Sequence, residues 1–266
     1  QQIRQELGLD RPIVTQYLDW IAGAVRGDFG QSYLQRRPVV DILKERFPRS
    51  MELAGLTLVI AMVWAGPLGV VSAGRQNRPL DHLARVTSPS GLSLPLFFTG
   101  ALILYGLVRF FRWLPPLEFV SFTESPIENL KQLIWPALAQ DYYISAPITR
   151  PTPSQMLEVV RQDYVRTARA KGLAERAVVF RHALRNSLLP VVTFIGWWGG
   201  RLLGGLVIME IIFVVPGMGS ALIQAVSQRD YPTVQAMVFV MALVFLVVNL
   251  VVDLLYAWLD PRIRYA

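Results

Sequence analysis

Three ionisable residues stand inside otherwise apolar stretches of the chain: Asp141, Arg201 and Glu210. A charge at membrane depth costs roughly 2.5–3.5 kcal/mol on insertion scales, so such residues are candidates for a pathway, a relay or a substrate contact. Arg201 and Glu210 are nine positions apart, about 13 Å along one straight helix at 1.5 Å per residue, too far for a direct salt bridge. Each needs its own partner, water or substrate group. Arg201 is expected to meet the translocation pathway or an acidic partner such as Asp141, and Glu210 either the same pathway or solvent near the outer end of its helix. The three lack a nucleophile, a metal pair or a second acid at useful spacing, which weighs against a membrane-embedded enzyme. A channel would need a ring of charges or carbonyls in a symmetric assembly.

Other chemistry is narrowed by what the 266 residues contain. There is no cysteine, which removes thiol catalysis, disulfides and thiolate metal sites. His82 and His182 lie far apart among basic residues, and neither suits metal ligation. No G-x-x-x-x-G-K-[ST] run is present, so the chain has no P-loop to cradle ATP phosphates and any ATP must be used by a partner. With 53% hydrophobic and 17% charged residues and a mean hydropathy of +0.39, the chain is too apolar for an ordinary soluble domain. The net charge of +7 comes from basic residues between apolar runs, as the positive-inside rule requires, and argues for membrane rather than nucleic acid.

The elements that must position these residues follow from periodicity. Asp10 and Pro12 signal a helix start, Ile13, Val14, Tyr17, Leu18, Ile21 and Val25 recur at helical spacing, and Gly27 ends the run. A second short helix is expected over Val39 to Phe47. Leu53 to Ala73 is uncharged and long enough to cross about 30 Å of hydrocarbon. Further spans are expected over Val86–Val108, kinked by Pro89 and Pro95, over about Gln132–Thr149, weakened by Pro136, Pro147 and Asp141, over about Ser187–Val215, and over Tyr231–Val252. Gly199, Gly200, Gly204 and Gly205 give the Ser187–Val215 span a small-residue face suited to helix packing. Pro115 to Glu128 reads as an external loop. The chain thus divides into an external amphipathic segment, 1–50, and a five-span helical domain, 51–266. Residue 1 is expected not to be the native start, with a first span upstream.

Between the spans, Asp163 to Thr193 is helical in pattern and the most basic interval of the chain. Thr152-Pro153-Ser154-Gln155 is a capping box ahead of it. Ala168 and Gly172, four apart, would let a partner approach the helix backbone. The run R-T-A-R-A-K-G, then H-A-L-R-N and L-L-P-V-V-T, resembles the cytoplasmic EAA loop of bacterial ABC importer permeases, in the dipeptide/oligopeptide branch that also contains permeases for glutathione and nickel. In the pattern E-A-A-x3-G-x9-I-x-L-P, E-A-A falls on Arg166, Thr167 and Ala168, the glycine on Gly172, and the end on His182 to Arg185, which departs from it. E-L-G-L-D-R-P with G-D-F-G-Q-S, V-V-P-G-M-G with Val215 in place of tryptophan, and D-P-R-I-R-Y extend the resemblance along the chain.

The resemblance implies an all-α polytopic bundle of the type I ABC importer permease kind in the bacterial inner membrane. It implies a coupling loop at about 150–190 that docks an ATPase through Arg166, Thr167, Ala168, Arg169, Ala170, Lys171, Gly172, Leu173 and His182. The implied partners are a second homologous permease, two ATPase subunits, an external substrate-binding protein, lipid and a peptide substrate. No cofactor is expected on this chain, with ATP and Mg held by the ATPases. Short peptides are the expected cargo, with glutathione, nickel or another small solute as the alternative.

Overall fold

The computed structural model describes residues 10–74, 94–149, 202 and 204–259, with side chains over 10–63, 94–144, 202 and 204–254. Among these residues the fold is helical, with one isolated antiparallel bridge between Gln31 and Pro38. The helices are α1 (Ile13–Val25), α2 (Val39–Gly74), α3 (Leu96–Phe111), α4 (Pro126–Thr149), α5 (204–212), α6 (Met218–Ser227) and α7 (Tyr231–Leu259).

α1 ends as its sequence predicts. Gly27 takes φ +81°, and the Asp28 and Gly27 amides donate to the Gly23 and Ala24 carbonyls at 2.9 and 3.0 Å. These are the two bonds of a Schellman cap, which uses a left-handed residue to satisfy orphan carbonyls. α5 closes with the left-handed Val214 (φ +55°) and an amide bond from Val215 to the Glu210 carbonyl, 2.8 Å. A β-branched residue there is strained by about 1–2 kcal/mol.

α2 differs from expectation. The short helix over Val39–Phe47 and the span beginning at Leu53 are one helix of 36 residues. Pro48 and the charges around it lie within this continuous helix. Glu45 receives Arg37, from the segment before α2, at 3.0 Å and, one turn on within α2, Arg49 at 3.2 Å, an i,i+4 pair that spans Pro48. The Arg37 hydrogen bond, despite some burial, holds the Glu45 carboxyl below its usual 4.5. Such a group adds stability above the usual value and loses it as pH falls through the lowered one. The pair is over a third exposed, so solvent screening keeps the contribution small.

α4 covers the weak span expected over about Gln132–Thr149 and runs as one helix through Pro136 to Thr149. Pro95 does not kink α3 but stands at its N-terminal cap, where its missing N–H costs nothing. The non-helical 112–125 segment, expected as a loop, is tied to α4. Asn129 donates to the Val120 carbonyl and to Glu52 at 3.0 and 2.8 Å, and Gln132 accepts from the Val120 amide at 3.2 Å.

Two apolar clusters hold these elements, and α2 belongs to both. Val39, Ile42 and Leu43 pack with Met218 and Ala221 of α6 and with Ala236 and Met237 of α7. Further along, Leu53 and Ala54 pack with Leu107 of α3, Leu133 and Ala137 of α4, and Leu206 and Met209 of α5. The start of α7 is fixed separately. Asp230, 2% exposed, accepts from the Ser32 hydroxyl, the Tyr33 amide at 3.0 Å and the Thr233 hydroxyl at 2.8 Å.

Asp230→Ala is expected to lower folding stability by about 2 kcal/mol, because it strands buried donors, and to speed amide exchange across 31–36. Unchanged exchange there would show that the apolar contacts alone hold the loop to α7.

Candidate functional site

Ser50 on α2 lies between the two clusters, and a polar junction is built around it. The start of α6 needs outside help because its cap residue, Gly217, has no side chain to offer, and the first amides of any helix lack intrahelical acceptors. The Met218 amide donates to Ser50 Oγ at 2.8 Å. The Ser50 hydroxyl donates onward to Glu210 Oε1 at 2.6 Å. The other carboxyl oxygen, Oε2, accepts from the Ser220 amide at 2.8 Å. Glu210 therefore caps α6 from α5, with α2 as the bridge, and its negative end faces the positive end of the α6 dipole.

Gly217 is required by this closeness. A Cβ there would lie 2.3 Å from the Glu210 carboxyl carbon and 2.5 Å from Ser50 Oγ. Arg49 reaches the same turn, its Nη1 lying 3.5 Å from the Pro216 carbonyl. Glu210 is 1% exposed, so the alternative of a carboxyl close to solvent does not describe it. In the chain alone both oxygens are occupied by donors of its own fold.

Asp141 and the neighbouring Gln140 make a second polar place, on α4. They are 4% and 1% exposed. Among the described residues Asp141 Oδ1 and Gln140 Oε1 have no hydrogen-bond partner. Gln140 presses on α5 at Gly205, where a Cβ would lie 2.3 Å from its amide nitrogen. One member of the expected small-residue face thus admits a polar side chain, whereas Gly204 has nothing within 4 Å. No hydrogen bond or ion pair joins Asp141 to Glu210 among the described residues.

A third feature is an open cleft of about 800 Å³ between α1, the following loop and the start of α7, with Asp19, Asp28, Arg36, Tyr33 and Gln235 among its lining residues. Sequence reasoning did not join these residues, because they meet only once Asp230 holds the loop.

The expected docking residues Arg166, Thr167, Ala168, Arg169, Ala170, Lys171, Gly172, Leu173 and His182 lie outside the described residues, as do Arg201, Gly199, Gly200 and the capping box at 152–155. Ser50 and Asp230 were missed as anchors. Their available signals were a hydroxyl three residues ahead of an uncharged span and an acid immediately ahead of another.

Among the described residues, α7 is the helix that meets the length and composition of a membrane span. Its Tyr231–Leu254 portion has a mean hydropathy of 2.7 and only 6% of its most apolar window buried. Residues 65–265 match the family described as binding-protein-dependent transport system inner membrane component, and residues 1–54 match the corresponding N-terminal family. The chain belongs to this family of inner-membrane transport components. Among similar proteins is the glutathione transport system permease protein GsiC of Escherichia coli (strain K12), 39% identical over 263 residues that cover 99% of this chain and 83% of that protein. The proteins of the same name from Shigella flexneri and Shigella boydii match with the same identity and coverage. The chain is accordingly a membrane subunit of an ABC importer.

Glu210→Gln is expected to destabilise the chain by about 1–3 kcal/mol, because an amide nitrogen would face the Ser220 N–H. With Ser50→Ala the losses should be non-additive, since both act on one network. Thermal unfolding of the single and double variants reads this. Simple additivity would show that Ser50 and Glu210 act separately.

Proposed function

We propose that this subunit imports short peptides, glutathione among them, by alternating access driven by separate ATPases. Similarity to glutathione permeases over 99% of the chain carries the reading of cargo. Glutathione is itself a tripeptide, so the two expected cargoes share a carboxylate, an ammonium and peptide groups. Glutathione is the better first candidate on that similarity, and nickel has no comparable support.

The reading of energy coupling rests on the sequence. The chain has no P-loop of its own, and the basic interval around Gly172 resembles an ATPase-docking loop. In this reading two ATPases, with ATP and Mg, close and push the loop, a second permease completes the pathway, and an external protein delivers the peptide. The helices then swing as rigid bodies between inward and outward openings. Arg201 and Asp141 are the proposed pathway contacts, while Glu210 is proposed to hold the outer part of the bundle together.

Gly172→Leu should abolish ATP-dependent accumulation of labelled glutathione in vesicles containing the assembled transporter and should weaken ATPase retention, with membrane insertion intact. Unlabelled dipeptides should compete with the label if the cargo class is short peptides. Uptake that persists in Gly172→Leu would make the loop a connector, and competition by glutathione alone would narrow the cargo to that compound.

A further inference from the structure

α1 is amphipathic over a wide arc, but the protein covers only part of that arc. At 100° per residue, Trp20 and Ala24 fall on one edge of the apolar face, and Val14, Leu18 and Val25 fall on the other. Ala24 is buried. Trp20 meets the Phe239 ring edge-on, 5.4 Å between centroids, and Phe29 adds a second ring at 6.2 Å. By contrast Val14, Leu18 and Val25 are 69%, 59% and 81% exposed, and Tyr17 between the two edges is 60% exposed. An isolated exposed leucine needs no explanation, but a continuous half-face of a helix does.

The position of Phe239 says what covers that half-face. Phe239 lies eight residues into α7, about 12 Å along its axis. The Tyr231–Leu254 span has 24 residues, about 36 Å, against a hydrocarbon thickness of about 30 Å. With the Tyr231–Leu254 span seated so that its excess projects at the Tyr231 end, Phe239 sits about 6 Å inside the hydrocarbon. α1, in contact with Phe239, is therefore held at the depth where interfacial amphipathic helices lie, about 5–10 Å into the headgroup and acyl boundary. Beyond Met237 none of the described side chains of α7 is buried, so the exposed edge of α1 runs on into an apolar surface suited to lipid. Its polar residues agree: Asp19 is paired with Arg11 at 3.0 Å in an exposed position, and Thr15 is exposed, both on the arc opposite the apolar face.

We infer that α1 is an interfacial membrane anchor, with Val14, Leu18 and Val25 seated among phospholipids at the Tyr231 end of α7. It is pinned there by Trp20 on Phe239 and by the Asp230 attachment of the following loop. The inference rests on the inner-membrane location of the family and is independent of the cargo.

The chain has no native cysteine, so Val14→Cys, Leu18→Cys and Thr15→Cys can each carry a bimane probe in the assembled transporter. Reconstitution into vesicles of phosphatidylethanolamine and phosphatidylglycerol, with or without a lipid bearing a shallow doxyl group, separates the outcomes. Probes at positions 14 and 18 should be quenched about twofold or more by the doxyl lipid and little by iodide, with the reverse at 15. Iodide quenching at 14 and 18 would place the face in water and overturn the inference. Protection from both quenchers would also overturn it, by placing the face under a protein partner, and relief of iodide quenching on adding the external binding protein would identify that partner. Uptake failure does not alter the readout, since a transport-dead complex still reports which solvent surrounds the probe.

Discussion

Backbone polar groups inside an apolar bundle have little water to turn to, so a helix end there needs partners from the protein. The α6 terminus meets this constraint in an indirect way. Gly217 cannot cap its own helix, and the amides of Met218 and Ser220 are served instead by Ser50 and Glu210. One short network therefore joins α2, α5 and α6 at the point where two apolar clusters meet. Removing any member leaves buried donors or acceptors without partners, a larger loss than one hydrogen bond returns in water.

This arrangement has a consequence for how the bundle can move. Helices α2, α5 and α6 are bound together by directional contacts, whereas among the described residues Asp141 and Gln140 each keep an oxygen atom without a partner. The first place is built to stay closed. The second has acceptors left over among the described residues.

Much of the architecture was legible in residue order. The helix of α1 and its end at Gly27 followed from apolar spacing and one glycine, and α7 from an uncharged run opening at Tyr231. Boundaries failed where local signals were overruled by pairing. The helix expected over Val39–Phe47 and the span expected from Leu53 are joined through Pro48 into the single helix α2. Pro136, Gln140 and Asp141 marked α4 as a weak span, and the sequence did not show that Gln140 would pack on Gly205 of α5. Glu210 was recognised as exceptional, although its partners were not. Ser50 is 160 residues away, and no local pattern announces a hydroxyl that caps another helix.

The most direct test of the Glu210 junction is amide hydrogen exchange at Met218 and Ser220 in the assembled transporter. If Ser50 and Glu210 hold the first turn of α6, these two amides should exchange as slowly as those in the middle of α5, despite lying at a helix start. Exchange at the rate of an exposed turn would contradict the account, because the donors would then be bonding to water rather than to α2 and α5.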